Sequence, residues 1–367
     1  MMITIGSRNI GPGESCLVVA ELGTGHLGSM DRARALVDAA AAAGADCAKF
    51  QLVYADEILH PLSGVVELPT GRVELYRQFK DLEQPLSFYA DLKSYAESLG
   101  LLFLCSPFGL RSARELRSLG VAALKIASPE LNHLPLLEEV ARYGLPLVLS
   151  SGVSTLADIE RALGVTGRDR VVLLHCITAY PAPEEEYNVA LLASLRAVLG
   201  VEIGISDHSL DPVLVPVLAM LHGARVVEKH FTLSRGGAGL DDPIALEPSG
   251  FARMVRGIRE AEANRPADTR AQLEAEYGTD RIRRVIGTGV KNLAPSERAN
   301  YRRTNRSIHT LAEIPEGTVI TAESVAVLRT EKVLRPGLGP EFLPVVMGRF
   351  ARRTITAGEG ITWEDIG

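Results

Sequence analysis

The chain has 367 residues, 46% hydrophobic and 23% charged, which is ordinary for a globular enzyme and long enough for a large barrel with an appendage. Its net charge of −6 is spread without runs and excludes a nucleic-acid footprint. No apolar stretch reaches the length of a membrane span, and Met1-Met2-Ile3-Thr4-Ile5-Gly6 lacks the regions of a signal peptide, so a cytoplasmic location is expected. Cys16, Cys47, Cys105 and Cys176 are far apart in sequence, and reduced, buried thiols are expected rather than a disulfide or a zinc site.

Eight short apolar runs punctuate the first two-thirds: 17–21, 47–51, 101–105, 122–128, 146–150, 171–176, 201–206 and 225–231. Their length and β-branched content predict strands buried on both faces. Between them lie amphipathic segments, Asp31 to Ala43, Ser87 to Leu99, Arg111 to Leu119, Pro135 to Tyr143, Val189 to Leu199 and Pro212 to His222. Each is followed by a glycine, the residue that takes the left-handed position past a helix end at least cost. Thr155 to Leu163 and Ser249 to Ala263 complete the set. Eight strands alternating with eight helices over roughly 250 residues predict an α/β fold, a (β/α)8 TIM barrel, spanning residues 1–264. A doubly wound open sheet is the alternative, disfavoured because no Gly-x-Gly-x-x-Gly follows the first strand.

The segment from Asp56 to Pro85 reads as a long insert after the second strand, a lid or edge loop. Residues 265–305 are polar and Arg-rich and read as a linker. Residues 306–367 read as a small β-rich domain whose halves rhyme: Ile314-Pro315-Glu316-Gly317 against Ile355-Thr356-Ala357-Gly358.

Barrel enzymes place their chemistry at the C-terminal ends of the strands. Here those ends are polar: Glu21 with His26 in the loop, Lys49 and Gln51, Ser106, Lys125 with Ser128 and Glu130, Ser150, Thr178 and Tyr180, Ser206 with His208, and Glu228 with His230. A lysine inside an apolar run is costly to bury unless paired. The bland alternative is a side chain snorkelling at the barrel rim. Read functionally, Lys49 and Lys125 with the serines make a site for an anionic substrate bearing phosphate and carboxylate. His208 and His230, on neighbouring strands, are placed to share a divalent metal, although a hydrogen-bonded core histidine is an equal alternative for either singly. Glu21 and His26 are candidate acid–base groups or further ligands. Lys49 or Lys125 is equally placed to form a Schiff base in a metal-independent aldolase, the rival enzyme reading. A barrel that only binds sugar or protein is disfavoured, since idle buried lysines and histidines cost stability.

These residues fall in an ordered series: Val19-Ala20-Glu21-Leu22-Gly23, Ala48-Lys49-Phe50-Gln51, Lys125-Ile126-Ala127-Ser128-Pro129-Glu130, Leu149-Ser150-Ser151-Gly152, Tyr180-Pro181-Ala182-Pro183, Gly204-Ile205-Ser206-Asp207-His208-Ser209 and Glu228-Lys229-His230-Phe231. The series resembles the sialic acid synthases, N-acetylneuraminate synthase and its nonulosonate and spore-coat relatives, over nearly the whole chain. The tail resembles the antifreeze-like (SAF) domain of that family, a likeness of fold that implies no ice binding. The resemblance implies condensation of phosphoenolpyruvate with an N-acetylmannosamine-like aldose, or with a legionaminic, pseudaminic, spore-coat or secondary-metabolite type of sugar. It implies Mn2+ or Mg2+ on His208 and His230. Phosphoenolpyruvate contacts fall on Lys49, Ser106, Lys125, Ser128, Ser150 and Ser206. Sugar contacts fall on Gln51, Glu130, Tyr180 and Asp241, and Glu21 lies near the reacting carbons. A domain-swapped homodimer is implied, with an arginine from the tail reaching a barrel mouth; Arg335 in Leu334-Arg335-Pro336-Gly337 matches best and Arg329 is the alternative. Gly25, Thr178, Ser234 and Asp242 depart from the family pattern, and these departures lie around the sugar rather than the phosphate.

Overall fold

The computed structural model describes residues 2–68, 71–331 and 333–367, the side chain of Leu68 excepted. Eight parallel strands form a nearly closed barrel: Leu17–Gly23, Cys47–Leu52, Leu102–Pro107, Leu124–Ile126, Leu147–Ser150, Val171–Cys176, Glu202–Asp207 and Val226–His230. Ladders join them in chain order, and the last pairs with the first, Val226 opposite Leu17 and His230 opposite Glu21. The third and fourth strands lie side by side without a ladder among the described residues. The eight expected helices form within a few residues of their expected bounds, from Met30–Ala42 to Pro248–Ala263.

Period-two alternation sorts the strand residues into two cores. Even positions of the first strand, Val18, Ala20 and Leu22, pack outward with Phe50, Ile126, Leu149 and Ile205 against the helices. Odd positions Leu17 and Val19 face inward with Cys47, Leu104, Val148, Val172 and Leu174. The lower opening is plugged by an antiparallel hairpin absent from the sequence reading, Ile3–Ile5 with Arg8–Ile10, whose Ile3, Ile5 and Ile10 join the inner core.

The insert is structured rather than an open loop. It contains a short helix Ala55–Ile58, a hairpin Val65–Leu68 with Gly71–Glu74 whose connecting residues 69 and 70 lie outside the described ones, and a helix Leu75–Asp81. The stretch expected as a linker begins with two helices, Pro266–Tyr277 and Thr279–Ile286. Proline opens the first, and Gly278 and Gly287 close the pair; Leu273, Ile282 and Val285 are buried against the barrel helices while Arg283 and Arg284 face solvent. Sparse apolar positions on a polar background hid that pattern from the sequence reading.

The C-terminal domain pairs Arg306–Thr310 with Val325–Arg329 antiparallel. Its expected pseudo-symmetry is physical. Ile314 and Ile355 bridge each other, Gly317 and Gly358 take φ of 77° and 82° at equivalent turns, and Ile320 and Ile361 are both buried in one core. No helix among the described residues is long and apolar enough to cross a membrane.

Candidate active site

One cavity of about 310 Å³ opens at the C-terminal ends of the strands. Glu21, Lys49, Gln51, Lys125, Ser128, Ser150, Tyr180, Ser206, His208, His230 and Asp241 all line it, joined by Cys176, Thr178 and Glu228. The inward alternation that puts Leu17 and Val19 in the core puts Glu21 in the cavity, and the same step takes Cys47 to Lys49 and Val226 to Glu228 and His230.

The floor is a buried charge network. Lys49 donates to Glu21 and lies 3.8 Å from Glu228. Lys125 lies 3.6 Å from the same Glu228 carboxylate and donates to Ser150 Oγ at 2.6 Å. Ser206 Oγ donates to Glu228 at 3.0 Å, and Gln51 Nε2 to Glu21 at 2.6 Å. The two lysines diverge. Burial opposes the charge on both, but for Lys49 the carboxylates of Glu21 and Glu228 outweigh it and hold the ammonium above its ordinary pKa. Burial wins at Lys125, with Lys49 adding repulsion, and its pKa falls. Glu228 is drawn down to about 2; burial opposes this, but Lys125 and Lys49 prevail. Glu228, noted in sequence but assigned no role, is the common counter-ion of both lysines.

The wall is imidazole. The rings of His208 and His230 are 5.2 Å apart, and Tyr180 stacks on His208 at 4.4 Å. His208 Nδ1 lies 2.7 Å from the Ile177 carbonyl, an arrangement in which Nδ1–H donates and Nε2 is the nitrogen left to bind a ligand once its own proton is lost. His208 is pushed up to about 9, because Cys176, with its sulfur 3.9 Å from Nδ1, the Ile177 carbonyl and Asp207 outweigh burial. His230 is pushed down to about 3 by burial and by its neighbour's charge. Asp241 lies 3.6 Å from His230 Nδ1. No group of three or more His, Cys, Asp or Glu forms a ready metal cage among the described residues. Two imidazoles with an adjacent carboxylate suit an open site in which substrate or water oxygens complete the shell.

Four expected residues sit elsewhere. Ser106 is buried beside Gln51 in the ladder, its hydroxyl unpartnered among the described residues, and does not line the cavity. Glu130 lies behind the mouth, where Oε1 accepts from Arg306 at 2.8 Å and from Arg329 at 2.7 Å. It docks the C-terminal domain rather than facing the cavity. Arg335 is held inside the C-terminal domain by the Gly360 carbonyl and Asp365, each at 2.8 Å. The arginine at the mouth is Arg329, whose guanidinium also lies 5.5 Å from the Phe108 ring. His26 is a turn residue: Nδ1 accepts from Gly28 N at 3.0 Å, and the ring packs 4.9 Å from Phe88. Asp207 points away from the cavity to a buried pair with Lys229 at 2.5 Å.

Sequence reasoning missed Asn300, Thr304 and Glu331, which complete the rim with Leu75 and Phe79 of the insert. All four cysteines are free and buried, as expected. Burial pushes Cys16 up to about 12, whereas at Cys176 the adjacent His208 overrides burial and lowers the thiol. Asp242 accepts from Thr232 Oγ1 at 2.6 Å and Gly239 N at 2.7 Å, so it braces the loop carrying Asp241.

A NeuB family model matches residues 36–268 and a SAF domain model residues 305–367. Spore coat polysaccharide biosynthesis protein SpsE of Bacillus subtilis is 33% identical, over 99% of this chain and 96% of its own. Its crystal structure superposes with a TM-score of 0.84 over the full length of this chain and 99% of its own. N,N'-diacetyllegionaminic acid synthase of Legionella pneumophila is 31% identical, covering 98% of this chain and 97% of its own. The N-acetylneuraminic acid synthetase structure from Leptospira borgpetersenii, in complex with citrate, is 29% identical with a TM-score of 0.66, over 77% of this chain and 98% of that one.

Proposed function

Since the chain belongs to the NeuB family and is a carbon–carbon bond-forming synthase of that type, we propose that it condenses phosphoenolpyruvate with an amino-sugar aldose to give a nonulosonate and inorganic phosphate. The observation that carries this reading is the presence, in one cavity, of two buried lysines on a shared carboxylate and of two histidines with rings 5.2 Å apart. The lysines suit the anion and the histidines the electrophile. Relatives named for legionaminic, pseudaminic, sialic and spore-coat products leave the acceptor sugar to a substrate panel.

Lys49, Lys125, Ser128, Ser150 and Ser206 hold the phosphate and carboxylate. The substrate brings negative charge next to Lys125, whose ammonium is disfavoured by burial and by Lys49. His208 through Nε2 and His230 would hold a divalent cation, which when bound supplies Lewis-acid polarisation of the sugar carbonyl. Carbon 3 of phosphoenolpyruvate bonds to the aldehyde carbon, whose oxygen takes a proton. Water adds at carbon 2, and cleavage of the carbon 2–oxygen bond releases phosphate and leaves a ketone. Glu21 stands beside Lys49 at the cavity floor, placed to offset positive charge at carbon 2 or to take the water proton. Tyr180, Asp241 and Arg329 shape the sugar end.

The test is phosphate release from phosphoenolpyruvate with a panel of aldoses, with Mn2+ or Mg2+ and with EDTA. Aldose-dependent release lost in EDTA and restored by metal is the expected outcome; release unaffected by EDTA would sink the metal role. The depressed ammonium of Lys125 also suits an imine-forming aldolase. Borohydride trapping of a ketone substrate on Lys125 would favour that second reading. The exchanged-tail homodimer is carried as a proposal too, although in this single chain the tail covers its own barrel mouth. Mixing Lys49→Met with an Arg329→Ala/Arg335→Ala double variant tests it: exchanged tails restore one intact mouth per mixed dimer, and activity that stays at the level of the parents refutes exchange.

A further inference from the structure

Residues 287–305 leave the helix Thr279–Ile286 and reach the barrel mouth before the C-terminal domain begins. Glu297 lies there in one short turn, Pro295–Glu297, with its side chain buried. Its Oε1 accepts two backbone N–H groups at once, from Val153 and from Thr178, each at 2.7 Å. Val153 follows the fifth barrel strand and Thr178 the sixth. Beyond the ladder these N–H groups have no strand partner, and a carboxylate is the strongest acceptor to close them.

The clamp is tight. Val153 is β-branched yet has φ of 42°, a conformation that such residues rarely adopt unless held. Its carbonyl accepts from Asn305 Nδ2 at 3.1 Å, so both polar groups of its backbone are held from the same segment. Gly152 N donates to Ser128 Oγ at 3.0 Å. A Cβ on Gly152 would stand 2.1 Å from Thr178 Oγ1 and 3.2 Å from Glu297 Oε1. Glu297, Gly152, Thr178 and Ser128 are thus packed without slack, and Ser128, Ser150 and Thr178 line the cavity beside Lys125 while Glu297 does not.

We infer that Glu297 is a positioning residue of the site: it fixes the ends of the fifth and sixth strands so that Ser128, Ser150 and Lys125 are set for the phosphate-bearing substrate. It acts through backbone and never touches the substrate. The inference rests on reading this cavity as a phosphoenolpyruvate site, and the experiment separates the two.

The test uses full-length wild type, Glu297→Gln and Glu297→Ala. Gln keeps an oxygen where Oε1 stands and accepts both N–H groups; Ala keeps neither bond. Hydrogen exchange of ligand-free protein is followed at the Val153 and Thr178 amides, and phosphoenolpyruvate and aldose KM values are measured on the same samples. Both amides are expected to be protected in wild type and in Glu297→Gln, and to exchange at least tenfold faster in Glu297→Ala while amides of the lower barrel are unchanged. The phosphoenolpyruvate KM is expected to rise at least tenfold in Glu297→Ala and less than threefold in Glu297→Gln, with the aldose KM within threefold throughout. Unprotected amides in wild type, or a phosphoenolpyruvate KM in Glu297→Ala within threefold of wild type, would overturn the inference. If wild type turns over no phosphoenolpyruvate, the functional reading fails, and the exchange data still decide whether the clamp exists.

Discussion

The two ends of the barrel are built by the same strands with opposite content. At the lower end the inward residues Leu17, Val172 and Val226 meet Ile3, Ile5 and Ile10 of the plugging hairpin in an apolar contact. Two or four residues further along the same strands, the inward positions become Glu21, Cys176, Glu228 and His230, in one ionic and hydrogen-bonded cavity. Strand periodicity is indifferent to what it carries, so one scaffold holds a stabilising end and a reactive end. The difference teaches where cost is concentrated: the lower end gains from burial, whereas the upper end buries lysines and carboxylates that are tolerable only as a set.

That contrast breaks first at Lys49. Lys49→Met leaves Glu21 and Glu228 facing one ammonium instead of two. It should cut kcat/KM at least ~1000-fold, the scale expected for removing a group that holds transition-state charge. Removing one member of a buried ionic set should also destabilise, by about 3 kcal/mol. Phosphate-release kinetics and urea unfolding read the two effects; loss of stability with full activity would show the network to be structural only. Next comes the lower end. Leu17→Ala should cost about 3 kcal/mol through lost burial and the cavity left behind, with kcat and both KM values within threefold. A large change in kcat with unchanged stability would erase the distinction between the ends.

The C-terminal domain extends the comparison, since its core is as apolar as the barrel's lower end but encloses His309. Burial pushes His309 down to about 4, with Ser307 Oγ on Nε2 at 2.8 Å and the Gly358 carbonyl on Nδ1 at 2.8 Å. The folded state therefore holds a neutral ring while the unfolded chain takes up a proton near pH 6.5. Stability is complete above about pH 6.5 and is lost as pH falls towards about 4, at up to about 1.4 kcal/mol per pH unit. Trp363, the sole tryptophan, lies in this domain and reports its unfolding by fluorescence. His309→Gln should flatten the pH dependence of that signal; an unchanged slope would place the acid sensitivity elsewhere, for example at His175, which burial pushes down to about 3.

Much of this was legible in the residues because burial on both faces leaves a strong signal. The eight strands read as apolar runs, and the glycines after the helices marked their ends. Polar residues inside those runs then located the cavity, and eleven of the expected contacts line it. Position along a strand does not reveal partners, so the role of Glu228 between two lysines stayed hidden. Nor does it separate rim from interior: Ser106, expected at the cavity from its strand end, and Glu130, a contact the resemblance implied, do not line it. The helices at Pro266–Tyr277 and Thr279–Ile286 were lost because few of their positions are apolar. Glu297 was lost because a carboxylate binding backbone amides far away in sequence has no local pattern.

The smallest effect concerns the tail arginines, where the resemblance favoured Arg335. Arg329 lies at the end of a strand paired with Arg306–Thr310, so its position is fixed by the ladder. Its guanidinium donates to Glu130 through Nε at 2.9 Å and a terminal nitrogen at 2.7 Å, leaving donors for a substrate oxygen at the cavity. Arg335 spends its donors on the Gly360 carbonyl and Asp365. Arg329→Ala should therefore raise the aldose KM about tenfold, the equivalent of one charge-assisted hydrogen bond of about 1.4 kcal/mol, with the phosphoenolpyruvate KM little changed. Arg335→Ala should leave both KM values within twofold, and Asp365 would keep Arg353, which lies 2.6 Å away. The reverse result, a raised aldose KM only in Arg335→Ala, would mean that the working mouth is closed by the tail in another arrangement. A partner chain presenting Arg335 is the arrangement the exchanged dimer supplies, so this pair of variants, read with the mixing experiment, decides which tail arginine completes the site and from which chain.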